Sequence, residues 1–431
     1  VGGAALAAYE LSRRMHRRPS HALFAGILGT ILSIGILSIT RSFLVESHPP
    51  NPQTIGLAVI LVALLWRSLF GPWDVQTKVI LLGVFLFGIS INLLVDTPPV
   101  ERSVRLIAAV TALIPAGLWC MLFLKYHQER IGLVMLMFFS GMLATAPILF
   151  YDALVRRGTG INFFLFEVKP ESFNRSADLF VSGGLLGNPG FKSTMLATLL
   201  SFIVVAVIEE VSKYWVLRKS SEGVPTSIDD VIQCAIIVAI GFAFAENILN
   251  GNYFMGFVRE YLLRPGGADI VGFLSNVTGR SVLTSMVHIV STGVFGYFLG
   301  LTMFASPYLR EGEHHGRHFA FLRACSRAAR LPEETVFRLG ALGCGLLAAV
   351  LLHSVFNFLV TLPDLLPGNP RTLGDLFGSP EGSPFHWVAI LLFPSLFYVC
   401  GGFWVLTGLF IRRENLQEFG HPVHTEVFVR E

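Results

Sequence analysis

The sequence predicts an all-α protein, a polytopic transmembrane helical bundle of about ten spans. Three observations predict it. Of 431 residues, 53% are hydrophobic and only 14% charged, where a soluble protein carries about a quarter charged residues. Mean hydropathy is +0.63. Apolar runs of the roughly 20 residues that cross a bilayer recur from one end of the chain to the other. Phenylalanine is abundant at 37 residues, which suits lipid-facing surface.

Taken in order, the runs fall near 21–43, 54–72, 77–95, 104–124, 131–151, 194–217, 228–250, 281–304, 338–361 and 385–411. The second is the weakest, because Arg67 interrupts it. The first is long enough to span and lacks a small-residue cleavage site, so no cleavable signal peptide is expected. Cytoplasmic loops are enriched in Lys and Arg. Arg13, Arg14, Arg17 and Arg18 precede the first run. Lys125 with Arg130, Arg218 with Lys219, Arg310 to Arg330, and Arg412 with Arg413 then recur at every second loop. The N- and C-termini are therefore expected inside. Arg156 and Arg157, at the start of a long outer loop, are the exception. Three regions follow: residues 1–193 with about five spans and that loop, a membrane core at 194–361, and a final span with a cytoplasmic tail at 362–431.

Two loops carry structure of their own by composition. Arg317 to Arg330 spaces its arginines as a basic amphipathic helix on the inner leaflet does. Asn252 to Gly279 mixes Phe and Leu with Arg259, Glu260 and Arg264, as an interfacial helix would. The five cysteines, Cys120, Cys234, Cys325, Cys344 and Cys400, form no CxxC pair, so inert thiols are expected rather than disulfides or zinc ligands. The net charge of +3 is small, and no acidic or basic tail points to nucleic acid.

The chemistry concentrates in Val207-Ile-Glu-Glu-Val-Ser-Lys-Tyr-Trp215. Ionisable groups within a span cost a few kcal/mol each on insertion scales, so they mark functional sites by default. On a helix Glu209 and Lys213 share a face, and Glu210 lies about 100° round from Glu209. Three later runs add Glu246 with Asn247, His288 with Thr292, and His353 with Asn357, the last two pairs four residues apart. Taken singly, each has a bland reading. A lone His is a hydrogen-bonded core residue, an Asn holds helices together, and a Glu–Lys pair is a satisfied ion pair. Four neighbouring runs with such groups argue for convergence, because polar faces that meet solvate one another. A carboxylate in such a pocket is suited to general acid–base work on a water. The residues alone leave several readings open: an intramembrane hydrolase, a proton-coupled transporter or channel, or a silent scaffold. HExxH, GxSG and GxGD signatures are absent. A clear inverted repeat, which a transporter would favour, is not evident.

In this order, Glu209-Glu-Val-Ser-Lys213, Asp229-Asp230, Gly241-Phe-Ala-Phe-Ala-Glu246-Asn247, Arg280 with His288, and His353-Ser-Val-Phe-Asn357 resemble the motifs of the PrsW family. These are intramembrane proteases related to the CAAX prenyl protease type II (CPBP) group. The resemblance covers about 195–360. It implies a glutamate-dependent protease of the bacterial cytoplasmic (inner) membrane that cleaves single-pass membrane proteins such as anti-sigma factors during stress responses. It also implies Glu209 as base with Glu210 and Lys213 in support, Glu246 and His288 ordering the water, and His353 with Asn357 forming an oxyanion pocket. Phe242, Asn247, Arg280 and Thr292 join as supporting residues. No cofactor is expected, with a zinc set of Glu246, His288 and His353 as the alternative. On this basis the active groups should lie in the outer half of the bilayer. Glu209, counted along its own run, falls roughly 10 Å too far inward for that.

Overall fold

The computed structural model describes residues 19–44, 65–95, 97–156, 191–249, 254–263, 277–314 and 319–418. It adds short pieces at 161–163 and 166–168 and a few single positions near 60–63 and 266–274. The N-terminal arginines, most of the predicted second span, Arg157, Arg317 and the last 13 residues lie outside them.

The chain is helical nearly throughout. The order is α1 (Pro19–Leu44), α2 (Val75–Val95), α3 (Pro99–Tyr126), α4 (Ile131–Leu143) and α5 (Ala146–Arg156). There follow α6 (Phe191–Ser220), α7 (Ile228–Leu249), α8 (Phe254–Leu263), α9 (Ser285–Met303), α10 (Ala305–His314), α11 (Ala320–Ala329) and α12 (Glu333–Leu365). The last helices are α13 (Leu373–Phe377), α14 (Leu392–Leu396) and α15 (Gly402–Glu418). Among the described residues, eight helical stretches are long and apolar enough to cross a membrane. α6, 30 residues long, carries the predicted sixth span. Among the described residues, a small antiparallel hairpin, Ile161–Phe163 with Phe166–Val168, lies before α6.

The centre of the bundle is α7. Every residue from Asp229 to Ala243 is buried, so this helix meets protein on every side, and from Val231 to Ala243 it is apolar apart from Gln233. α4, α3 and α9 enclose it. At the α4–α7 crossing two glycines face each other. A Cβ on Gly141 would stand 2.1 Å from the Val238 carbonyl oxygen, and one on Gly241 would stand 2.1 Å from the Phe138 carbonyl oxygen. Helices in lipid associate by such close backbone approach. Against the other flank, Gly296 and Gly300 of α9 admit Ala235 and Ile228 of α7. α12 then packs on α9 and α6.

The structure revises several sequence boundaries. The predicted span at 131–151 is kept as one apolar stretch, Ile131–Tyr151, with a turn at Ala144 and Thr145 between α4 and α5. The final span begins at Leu392, not near 385. Residues 384–390 instead fold back on the loop after α12, with Leu373 N donating to the Val388 carbonyl at 2.9 Å and Ile390 N to the Arg371 carbonyl at 3.0 Å. That loop is closed by a capping box at the start of α13, formed by Thr372 and Asp375. Within the region expected to hold an interfacial helix, Phe254–Leu263 is helical, as α8. Its Arg259 forks onto Glu101 of α3 at 2.6 and 3.0 Å. The described cysteines are all free thiols.

Candidate active site

Glu209, Glu210 and Lys213 stand on α6, Phe242, Glu246 and Asn247 on α7, His288 and Thr292 on α9, and His353 on α12. The folded chain brings these residues into one hydrogen-bonded cluster. The Lys213 ammonium donates to Glu210 Oε1 at 2.7 Å and to His288 Nδ1 at 2.9 Å. It also lies over the Phe242 ring, 4.2 Å from the centroid, a cation–π contact strengthened by the burial of Lys213. Thr292 donates to Glu210 Oε2 at 3.0 Å, and His353 Nδ1 meets Glu210 Oε1 at 2.9 Å. On the other side, His288 Nε2 meets Glu246 Oε2 at 3.0 Å. Arg280 spans Glu246 Oε1 at 3.0 Å and Asn247 Oδ1 at 2.9 Å.

These partners assign the histidine tautomers. A carboxylate only accepts, and an ammonium only donates. His288 therefore carries its proton on Nε2, toward Glu246, and presents a lone pair at Nδ1. His353 carries a proton on Nδ1, toward Glu210, and its Nε2 faces Glu209. Each imidazole is thus held by a carboxylate on its far nitrogen, the arrangement that orients histidines in metal and acid–base sites.

Glu209 is the exception within the network. Its Oε2 is buried and accepts no hydrogen bond among the described residues. It lies 3.6 Å from His353 Nε2, 3.9 Å from His288 Nδ1 and 3.9 Å from Lys213 Nζ. A buried carboxylate oxygen without a partner is costly. Here it is also the point on which two imidazole nitrogens converge. The adjacent Glu210 has both oxygens engaged.

The inward displacement of Glu209 expected from the sequence is removed by the placement of α6. Its last residue, Ser220, meets Ser140 hydroxyl to hydroxyl at 2.6 Å. Ser140 lies nine residues into α4, about 14 Å along that helix. α6 therefore stops short of the end of the bundle where α4 and α7 begin, and its glutamates are lifted toward Glu246 and His353. Access is from the Glu246 side. The Glu246 side chain is 22% exposed and that of Arg280 16%, against 7% for Glu209 and 2% for His288.

Not every expected residue joins. Asn357, half-buried one turn beyond His353, makes no side-chain hydrogen bond to the cluster among the described residues. Asp230 lies at the opposite end of α7, where it accepts from Thr226 and Ser227 and meets His127 Nε2 at 2.6 Å. It caps α7 and binds α3 to it, remote from Glu209.

Two further residues support the cluster and were not singled out from sequence. Tyr398, buried in a π-helical turn (Phe397–Gly401), donates to the Leu352 carbonyl at 2.5 Å. Its ring packs on Phe356, 4.9 Å between centroids, so it grips α12 on both sides of His353. Trp119 of α3 donates to the Ser281 carbonyl at 2.8 Å. Ser281 belongs to a second π-helical turn, Gly279–Thr284, that carries Arg280. π-turns recur at functional sites. An apolar run shows that such residues are buried but not which carbonyl they reach.

The donor set also fits a metal ion. Glu209, His288 and His353 each offer a ligand atom, all within 4.8 Å of one another. These types and this number suit zinc, and the unpartnered Glu209 oxygen is the independent sign. The set differs from the Glu246, His288 and His353 expected from sequence, because Glu246 is engaged behind His288 by Arg280. Lys213 would have to release His288 Nδ1 for that nitrogen to serve as a ligand. A second group, His127, Glu129 and Asp230, has ligand atoms equally close, but His127 and Asp230 already satisfy each other.

No curated protein and no solved structure matches the chain. A family model described as PrsW family intramembrane metalloprotease matches residues 129–377, more than half of the 431. The match takes in α4 and every span that contributes to the cluster. The chain is an integral membrane protein and belongs to the PrsW family of intramembrane proteases.

Proposed function

We propose that this chain is an endopeptidase that cleaves single-pass membrane proteins inside the bilayer, with Glu209 as the base that activates water. The observation that carries the proposal is the unpartnered Glu209 Oε2, facing His353 Nε2 across 3.6 Å. A water bound against Glu209 Oε2 gives it a proton while the water oxygen attacks the scissile carbonyl. Glu209 then returns that proton to the amide nitrogen as the C–N bond breaks. Glu210 acts through others: it holds His353 and neutralises Lys213. Lys213 contributes positive charge beside the developing oxyanion without bond chemistry. Arg280 holds Glu246, and Glu246 holds His288 in the tautomer that leaves Nδ1 facing the site.

The converging Glu209, His288 and His353 favour a second reading of the same activity. These residues would hold a divalent ion, which when bound polarises a carbonyl and water. In both readings the substrate is a membrane-embedded peptide segment, anti-sigma-factor-like by family resemblance, and the enzyme sits in a bacterial cytoplasmic membrane with both termini inside. The regions 1–193 and 362–431 then flank the catalytic core as recruiting or bracing elements. The test is incubation of the purified chain in proteoliposomes with a panel of single-pass proteins, with fragment masses read out. Products cut within the spanning segment support the assignment. An intact panel beside a folded enzyme removes it.

A further inference from the structure

The segment joining α9–α10 to α12 is not part of the cluster, and its composition is unlike the rest of the chain. α11, Ala320–Ala329, has no buried residue. Arg323 and Arg327 are four residues apart, and Arg330 completes the row within an arc of about 60°. The opposite face carries Phe321, Ala324 and Ala328. Phe321 is 84% exposed, so none of the described residues covers the apolar side. No Asp or Glu lies within α11. The helix ends at Arg330 in a left-handed conformation (φ 55°), with Leu331 N donating to the Ser326 carbonyl at 3.2 Å and Ser326 Oγ to the Leu331 carbonyl at 2.6 Å. This turn leads directly into α12.

The place of α11 in the bundle selects its partner. It leads directly into the membrane-crossing α12 and is joined to the membrane-crossing α9 through α10, so it stays close to the bilayer surface. It also stands at the end of the bundle where the other basic groups gather. α9 ends beside the start of α7, since Gly300 abuts Ile228, and α3 ends there too, through His127 and Asp230. Lys125, Arg130 and Arg310 share that end. A helix with an uncovered apolar face, an arginine row opposite and enforced proximity to lipid fits a negatively charged bilayer surface. Its apolar side would sink to the acyl boundary and its guanidinium groups would lie among phosphates.

We infer that α11 is an anionic-lipid-binding helix that lies in the headgroup layer and fixes the foot of α12. The test uses the full chain in nanodiscs of phosphatidylcholine alone or of phosphatidylcholine with phosphatidylglycerol. It reads hydrogen exchange over 319–332 and, after gentle detergent release, the lipids retained in native mass spectra. The expected result is stronger protection of α11 with phosphatidylglycerol and preferential retention of that lipid. Both effects should be lost in the double variant Arg323→Gln, Arg327→Gln, whose sites are exposed and whose fold should survive. Phe321→Ser should weaken protection in both lipids. Equal protection in the two bilayers, or a lipid preference unchanged in the double variant, overturns the inference. Protection that persists in detergent together with a co-purifying protein does so as well, by naming a protein occupant.

Discussion

Glu209 and Glu210 are adjacent in sequence and opposite in bonding. Glu210 accepts from Lys213 and Thr292 and holds His353, while Glu209 Oε2, also buried, accepts from nothing among the described residues. The helix produces this difference. A step of about 100° between neighbours turns one carboxylate into the ion-pair network and leaves the other at the converging imidazoles.

The two glutamates should therefore separate in stability. Removing one partner of a buried ion pair costs about 3–5 kcal/mol. Glu210→Gln leaves the Lys213 ammonium underpaired and should lower the unfolding temperature clearly. Glu209→Gln should leave it within a few degrees of the parent or raise it. Thermal unfolding of both variants in one detergent checks the ranking.

Lys213 and a divalent ion compete for His288 Nδ1. Lys213→Met keeps most of the side-chain volume and removes both the donor and the positive charge. Zinc affinity, measured by calorimetry on the purified chain, should rise by at least about tenfold, since two like charges roughly 4 Å apart repel by several kcal/mol even at an effective dielectric near 20. Unchanged affinity would mean that the ammonium does not obstruct the ligand set. Peptidase activity should fall less than in Glu209→Gln.

Tyr398→Phe removes one hydroxyl and keeps the ring on Phe356. The lost bond to the Leu352 carbonyl should cost about 1 kcal/mol of stability. If Tyr398 positions His353, kcat should drop severalfold at nearly constant KM. Tyr398→Leu, which also loses the ring contact, should drop further. A purely structural role predicts lower stability with an unaltered kcat.

His127 lies outside the spans, between α3 and α4, and its hydrogen bond to Asp230 raises its pKa above the usual 6.5 against the opposing effect of burial. The charges of Asp230, Glu129 and Asp229 raise it further. A folded-state pKa above the unfolded value contributes stability that is complete below about pH 6.5 and is lost as pH rises through the folded value. The parent should therefore lose stability across that window, and His127→Gln should flatten the loss. Unfolding midpoints taken between mildly acidic and mildly alkaline buffer read this directly. Burial also raises the Glu129 pKa, so the comparison of His127→Gln with the parent, in which Glu129 is common to both, isolates His127.

Much of this was legible in the sequence, and for a physical reason. Charged groups in apolar runs are rare enough that Glu209, Glu246, His288 and His353 could be paired before any helix was placed. Their convergence follows from the cost of keeping such groups apart. Other features depend on distances that periodicity does not encode. The set-back end of α6 rests on a Ser140–Ser220 contact between residues 80 apart in sequence. The change from Glu246 to Glu209 in the possible metal set rests on Arg280 reaching Glu246. Asn357 shares the i, i+4 spacing of a site residue, yet its side chain stays out of the network. The last span was drawn too long because Pro384 to Ile390 is as apolar as a helix end, though it pairs instead with the loop at Arg371 and Leu373.

The central claim is that Glu209 performs the proton transfer. The most direct test is single-turnover cleavage of one membrane-embedded substrate by the parent and by Glu209→Gln, with substrate binding and metal content measured on the same samples. The account predicts unchanged binding, an unchanged fold and a rate lower by about 10²–10⁴, the usual worth of a positioned acid–base group. A rate lost only in step with a bound metal would transfer the role of Glu209 from base to ligand. Cleavage by Glu209→Gln at the parental rate would contradict the account outright.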